Sequence, residues 1–213
     1  MYAKFFKRMI DCVLAFVALI VLSPVLLVLT VVGTIVMKGN PFFVQMRPGK
    51  KGKNGQEKIF ALIKFRTMTC EKDANGILLP DDKRITQYGK LLRATSLDEL
   101  PELVNIFLGD MAIVGPRPLR VEYLSRYNTE QRRRHDVRVG LTGLAQVSGR
   151  NSLSWEERFE LDVEYVDNIT FLNDIRIIIK TVAQVVKRDG IKPEQSETME
   201  MFMGTEKEVD ENE

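Results

Sequence analysis

Residues 12–37 read CVLAFVALIVLSPVLLVLTVVGTIVM, without one charged side chain. As a straight helix the run is about 39 Å long at 1.5 Å per residue, enough to cross a hydrocarbon core of about 30 Å. A signal peptide has a shorter apolar region and a small-residue cleavage site, and neither is evident here. A buried helix in so small a soluble domain has no use for apolar residues on every face. The segment is therefore expected in a membrane, and its course is the next question. Lys4, Lys7 and Arg8 precede it, and Lys38, Arg47, Lys50, Lys51 and Lys53 follow it. With both flanks basic, the positive-inside rule gives no direction. Ser23-Pro24 falls near the middle, where Pro24 removes a backbone donor and the Ser23 hydroxyl can serve a freed carbonyl. A bent helix that enters and leaves by one face explains both features; a kinked spanning helix explains them equally.

The 213 residues leave room for one compact domain beyond this segment, with no repeats and no second domain boundary. The net charge of +2 hides an asymmetry, because from Glu194 onward eight acids face a single Lys. The basic body calls for anionic partners: nucleic acid, phosphorylated substrates or anionic lipid. The tail, Pro193 to Glu213, reads as disordered and solvating, without a catalytic role. Cys12 and Cys70 form neither a metal knuckle nor a disulfide framework, which fits a reducing compartment. The single His135 follows Arg132-Arg133-Arg134 and reads as a solvated helix face, which argues against Ser–His or Cys–His catalysis.

Phe42 to Val44 and Lys58 to Phe65 read as short strands around a Gly/Lys-rich turn, Pro48 to Gly55. Phe60, Leu62 and Phe65 interleave with Lys64 and Arg66, as in a half-exposed hairpin. Cys70 to Lys83 is a polar surface excursion. Helices are expected over Glu122 to Arg134, Ser154 to Asn168 and Ile175 to Val186. The last carries Arg176, Lys180, Lys187 and Arg188 beside its Ile and Val residues, so it either lies along a membrane surface or packs on the core.

The chemistry concentrates in Arg93-Ala-Thr-Ser-Leu-Asp-Glu-Leu-Pro-Glu-Leu103. Ser96 and Glu99 match a capping box, whereas Pro101 marks a first helical turn; the two registers conflict. Either one puts Asp98 and Glu99 near a helix N-terminus, whose dipole favours anions. Capping alone would account for that segment. Its company is Gly109-Asp110, Gly115-Pro-Arg-Pro118, Gly140-Leu-Thr-Gly143 and Ser148-Gly-Arg-Asn151. Two prolines hold the backbone of Arg117 extended, and several Args in Gly/Pro-framed turns favour a phosphate site over a solvated basic surface. Asp162 lies beside the apolar face Trp155, Phe159, Val163, Val166, so it needs a partner: a structural Arg or a metal.

Lys64-Phe-Arg-Thr-Met68, Leu97-Asp-Glu-Leu-Pro101, Gly109-Asp-Met111, Val114-Gly-Pro-Arg-Pro118, Gly143-Leu-Ala-Gln146 and Ser148-Gly-Arg-Asn151 together resemble the bacterial sugar transferases, the monotopic phosphoglycosyl transferases. The likeness runs in order from about Phe6 to Lys187, and the chain looks like the small form, without the multi-helix extension of larger members. The resemblance implies an α+β, mainly helical fold: a re-entrant membrane helix broken at Ser23-Pro24 (residues 1–38), then a cytoplasmic-face catalytic domain (39–192) with a β-hairpin and amphipathic interface helices, then the acidic tail (193–213). It implies transfer of a sugar 1-phosphate from a UDP-sugar to undecaprenyl (polyprenyl) phosphate, releasing UMP with Mg²⁺. Asp98 would be the nucleophile that carries the phosphosugar, Glu99 would assist with Mg²⁺ or a proton, and both would be metal ligands. Lys64, Arg66, Arg93, Arg117, Arg150 and Asp162 would bind substrate phosphates. The implied setting is the bacterial inner membrane, with the bilayer rather than nucleic acid as partner and a homodimer left open. Competing classes are a glycosyltransferase that releases UDP and a non-catalytic scaffold for anionic lipid, which needs no Asp98.

Overall fold

The computed structural model describes residues 2–149, 152–187 and 201–205. The apolar run forms two helices, α1 (Lys7–Val21) and α2 (Ser23–Val36), bent by 64° at the break. The local chemistry accounts for the bend. Pro24 cannot donate to Ile20 O, and the Ser23 hydroxyl takes that place at 2.7 Å. Neither helix alone is long and apolar enough to cross a membrane, though the pair passes that test together. Many large apolar side chains on both are exposed, among them Phe16, Ile20, Leu27 and Ile35.

After α2 the chain makes an antiparallel hairpin, β1 (Phe42–Lys51) and β2 (Glu57–Phe65), with Phe43 opposite Lys64 and Arg47 opposite Phe60. The expected hairpin is present, with a longer first strand than Phe42 to Val44. Beyond the excursion over residues 70–80 come a single turn, α3 (Asp81–Arg84), and α4 (Gln87–Thr95), capped by the Thr86 hydroxyl. Helix α4 crosses the end of β2 so closely that a Cβ on Gly89 would meet Thr67 O at 1.9 Å. Ser96 then turns left-handed, with φ 56°, ending α4. Leu97–Glu99 is a 3₁₀ turn, and α5 (Glu102–Leu108) starts behind Pro101. The Pro101 register thus wins, and the Ser96 side chain makes no cap bond.

Strand β3 (Met111–Val114) pairs in parallel with β4 (Val139–Thr142). The pairing was not expected, since neither run is long enough to announce a strand. It continues past the strand ends: Gly115 N donates to Thr142 O, and Gly140 N to Pro116 O. A Cβ on Gly140 would lie 2.1 Å from Gly115 N, so this glycine serves a close backbone approach, not the flexible turn the sequence reading assigned it. The stretch Glu122 to Arg134 is not the expected helix. It breaks into 3₁₀ turns over Val121–Tyr123 and Gln131–Asp136. Nor is its end solvated: Arg134 is 1% and His135 0% exposed. Tertiary partners account for this correction, Asp162 for Arg134 and Gly49 O for His135.

The short α6 (Leu144–Ser148) leads to α7 (Trp155–Asp167), whose Ser154 and Glu157 form a reciprocal capping box. Helix α8 (Phe171–Lys187) closes the domain. Its inner face carries the buried Asp174 and Ile177, in line with the core-packing alternative, while Leu172 and Ile179 face outward.

The main core holds Ala15, Phe60, Leu62, Leu103, Ile106, Met111 and Val139, so α1 packs against the same elements that carry the site. Arg8 donates from α1 to Ile106 O and Phe107 O, capping α5. Lys7 binds Asp174 at 2.7 Å, itself held by Tyr2 and Tyr165. Of the stretch read as a disordered tail, residues 201–205 depart from that reading: Phe202 is 2% exposed.

Candidate active site

A cavity of about 1030 Å³ opens between the hairpin, the 3₁₀ turn of Asp98-Glu99, the loop after β3 and the helices α7 and α8. Lys64, Arg66, Arg93, Asp98, Glu99, Arg117 and Asp162 all line it, so residues far apart in sequence converge. Arg150 lies outside the described residues.

Lys64 is the next-to-last residue of β2, and Asn105 fixes that strand end against α5. The Asn105 side chain accepts from Ile63 N at 3.1 Å and donates to Ala61 O at 2.8 Å, standing in for a neighbouring strand. Lys64 Nζ therefore reaches Glu99 Oε1 at 2.7 Å and Glu102 Oε1 at 3.0 Å. From the other side Arg117 Nη2 donates to the same Glu99 Oε1 at 2.7 Å. Burial alone would raise the Glu99 carboxyl, but the Arg117 and Lys64 charges outweigh it and hold Glu99 well below the usual carboxylate range. Glu99 is thus a fixed anion.

Asp98 contrasts with it. Its carboxylate has no hydrogen bond or ion pair among the described residues and faces the cavity. Burial and then the neighbouring Glu99 raise its pKa, with Lys64, Arg93 and Arg117 pulling the other way. A raised carboxyl is the better nucleophile of the two, and it is the one left uncommitted. Arg93 stands nearby, its Nε on the Thr67 hydroxyl at 3.0 Å.

The aim of Arg117 rests on more than its two prolines. Arg134 Nη2 donates to Arg117 O at 2.7 Å and to Asp162 Oδ2 at 2.7 Å, and Arg134 Nε adds a second bond to Asp162 at 3.0 Å. Asp162 is therefore the buried counter-ion of Arg134. The structural partner foreseen for it is an Arg, and its side chain holds the loop that carries Arg117.

Two residues of the site were not read as such in the sequence, Glu102 and Arg47, the latter counted only as a flanking charge. Glu102 is 2% exposed, and burial raises its carboxyl, with the Glu99 charge adding to that rise against Lys64. Its position directly after Pro101 in the first turn of α5 was the available signal. Arg47, on β1, lines the cavity and makes no ion pair among the described residues; its Nη2 meets only Gln45 Oε1, at 2.6 Å, and its Nε has no partner. Burial first, then the charges of Arg117 and Arg120, lower its pKa. Alternation along β1 could have placed Gln45 and Arg47 on one face.

No group of three or more His, Cys, Asp or Glu side chains poised for a metal occurs among the described residues. A Mg²⁺ ion that shares substrate phosphates needs only one or two protein carboxylates. The Asp98 carboxylate, free among the described residues, stands next to Glu99, whose contacts with Lys64 and Arg117 use Oε1, and the pair fits that demand.

The sequence pattern of the bacterial sugar transferase family fits residues 2–188. The chain belongs to that family. This sugar transferase is 46% identical over 200 residues to the Bacillus subtilis sugar transferase EpsL, covering 93% of this chain and 96% of EpsL. It is 37% identical over 206 residues to the Salmonella typhimurium undecaprenyl-phosphate galactose phosphotransferase, covering 88% of this chain but only 42% of that protein. It is 34% identical over 194 residues to a Caulobacter vibrioides UDP-glucose:undecaprenyl-phosphate glucose-1-phosphate transferase, covering 86% of this chain and 71% of the other. The sugar transferase thus spans nearly all of one relative and less than half of another.

Proposed function

We propose that this enzyme transfers a sugar 1-phosphate from a UDP-sugar to polyprenyl phosphate in two steps and releases UMP. The observation that carries the reading is the pairing of an uncommitted Asp98 with a Glu99 locked between Lys64 and Arg117, inside a cavity walled by cations. The activities of the Salmonella and Caulobacter relatives, an undecaprenyl-phosphate galactose phosphotransferase and a UDP-glucose:undecaprenyl-phosphate glucose-1-phosphate transferase, support the substrate classes.

In the first step an Asp98 oxygen attacks the phosphorus that bears the sugar. An acyl phosphate bond forms, the phosphoanhydride bond breaks, and UMP leaves with the bonding electron pair. In the second step a lipid phosphate oxygen attacks the same phosphorus, and the Asp98 carboxylate departs to give a lipid diphosphosugar. An anion attacking an anion needs neutralisation, which Arg47, Arg66, Arg93 and Arg117 supply from the cavity wall. Asp98 and Glu99 would hold a Mg²⁺ ion, whose chemistry there would be Lewis-acid charge neutralisation. Lys64 and Arg117 keep Glu99 ionised and oriented, so that of the dyad Asp98 alone is free to move toward phosphorus. Splitting the transfer lets a soluble donor and a membrane-bound acceptor use one carboxylate in turn.

The bent pair α1–α2 we read as a re-entrant anchor in the bacterial inner membrane, with the catalytic domain on the cytoplasmic face. Basic residues on both flanks and the Ser23–Ile20 bond at the break support this course. The outward apolar side chains Phe171, Leu172 and Ile179 suit α8 to the interface.

The test uses enzyme, UDP-sugar and Mg²⁺ without lipid acceptor. Up to one UMP per active site should appear, intact mass should rise by one phosphosugar, and peptide mapping should place it on Asp98. Asp98→Asn should bind donor yet give neither adduct nor UMP. Appreciable turnover by Asp98→Asn would sink the two-step mechanism and favour direct attack by lipid phosphate; release of UDP would mark a glycosyltransferase instead.

A further inference from the structure

Within the acidic C-terminal stretch, Met201-Phe-Met203 is an apolar island, and it is docked on the catalytic domain. Phe202 enters a box of four aromatic rings: Phe159 at 4.9 Å between centroids, Trp155 at 5.7 Å, and Tyr123 and Tyr127 at 5.8 Å. Polar bonds fasten the strap around it. Arg126 donates to Phe202 O, Phe202 N donates to the Tyr123 hydroxyl, and Gln131 Nε2 donates to Thr205 Oγ1 at 2.6 Å.

The box is also a wall of the active site. Trp155 and Asp162 line the cavity from α7. The Arg134 guanidinium lies over the rings of Tyr127 and Phe159, 5.8 Å from each centroid, and these are two of the rings that Phe202 packs against. Arg134 in turn grips Asp162 and the backbone of Arg117, whose side chain holds Glu99. A continuous series of contacts therefore runs from Phe202 through two rings to Arg134, then to Arg117 and Glu99.

We propose that Phe202 is a positioning residue for the sugar-phosphate transfer: the C-terminal strap, residues 201–205, braces the Arg134 platform and thereby fixes Arg117 on Glu99. The proposal rests on the transfer reaction given above. Without Phe202 the two rings lose a packing face, Arg134 gains freedom to shift, and the loop Gly115–Pro118 loses its anchor on that side. Misplacement by about 1 Å from a change remote from the chemistry can cost as much as about 10²-fold.

The enzyme carries one tryptophan, Trp155, so its fluorescence reports the box directly. In the full chain Phe202→Ala should shift Trp155 emission to the red and slow single-turnover UMP release by about tenfold or more, with donor KM within about twofold. Phe202→Leu, which refills most of the volume, should restore most of the rate. If Phe202→Ala no longer melts cooperatively, the double variant Arg126→Ala/Gln131→Ala makes the same comparison, because it unfastens the strap and keeps Phe202 and the four rings, losing from the box only the Arg126 guanidinium over Tyr123. A red-shifted Trp155 with an unchanged single-turnover rate would overturn the proposal and leave the strap as packing only. So would a rise in KM with no change in kcat. If the unaltered enzyme itself gives UDP, or no nucleotide product, the transfer reading fails, whatever the variants do; if it gives UMP and the variants match it, only the strap proposal fails.

Discussion

Acidification should act on this fold first through its one histidine. His135 is fully buried, and its Nδ1 lies 2.9 Å from Gly49 O. A carbonyl can only accept, so the hydrogen sits on Nδ1, and the buried Nε2 has no partner. Burial first, then the Arg134 charge, push the imidazole down from 6.5 to about 3. At about 1.36 kcal/mol per pH unit, protonating it in the fold costs roughly 5 kcal/mol more than in the unfolded chain. The folded value lies below the unfolded one, so the unfolded state takes up the proton first. The contribution is intact above about pH 6.5 and declines as pH falls, by roughly 3 kcal/mol at pH 4.5. Glu102 works in the opposite sense, because burial raises it and the folded state takes up its proton first. The comparison must therefore be made against His135→Asn, which can keep the donor to Gly49 O without a titrating group. Denaturant unfolding in micelles from pH 7 to 5 should show a shallower acid loss for His135→Asn than for the unaltered chain. Histidine-labelled NMR gives a single ring to follow, expected as the neutral Nδ1–H tautomer throughout that range. A ring that titrates near 6.5 in the folded protein, or an Nε2–H tautomer, would refute the reasoning.

Arg117→Ala should keep the fold and membrane association yet lose at least about 10²-fold in transfer, comparable to removing one oxyanion donor; near-normal initial rates would return Arg117 to the role of surface charge. Pro24→Ala restores a donor for Ile20 O and should straighten the α1–α2 break, moving some molecules to a spanning course. Cysteines placed at Ala3 and Asn40, with Cys12 and Cys70 replaced, should both react only from the cytoplasmic side in the unaltered helix pair; labelling of either by an impermeant reagent from the other side would refute re-entry.

What could be read in the sequence was mostly local. Pro24 and Ser23 announce the break because both the lost donor and its replacement lie within one turn. Ser154 and Glu157 announce the start of α7 for the same reason. The motifs around Lys64, Asp98 and Arg117 were visible as residue types but not as a geometry: the ties between them run through Asn105 and Arg134, which reach over 17 to 44 residues. The errors have the same origin. Arg134 and His135 look like a solvated face until Asp162 and Gly49 are brought to them. Phe202 looks like part of an acidic tail until four rings from residues 123–159 surround it. Ser96 and Glu99 have the letters of a capping box, yet Pro101 and a left-handed Ser96 decide the register.

The way α5 is held ties the α1–α2 pair to the Asp98-Glu99 turn. Its carbonyl end is capped by Arg8 from α1, its middle is sewn to β2 by Asn105, and its first turn carries Glu102 on Lys64. The Asp98-Glu99 turn abuts that first turn, so a displacement of α1 drags on the Arg8 bonds and is transmitted along α5 to the dyad. Lys7 on Asp174 fastens α1 independently to α8. Both elements with large outward apolar surface, the α1–α2 pair and α8, are thus tied to the frame that carries Asp98, the proposed nucleophile. On the proposed re-entrant course, insertion depth then sets the height of Asp98 above the lipid without a flexible linker in between. On the proposed transfer, a polyprenyl phosphate would have its headgroup confined to one plane of the membrane, and such a tie would let the single Asp98 carboxylate meet it there.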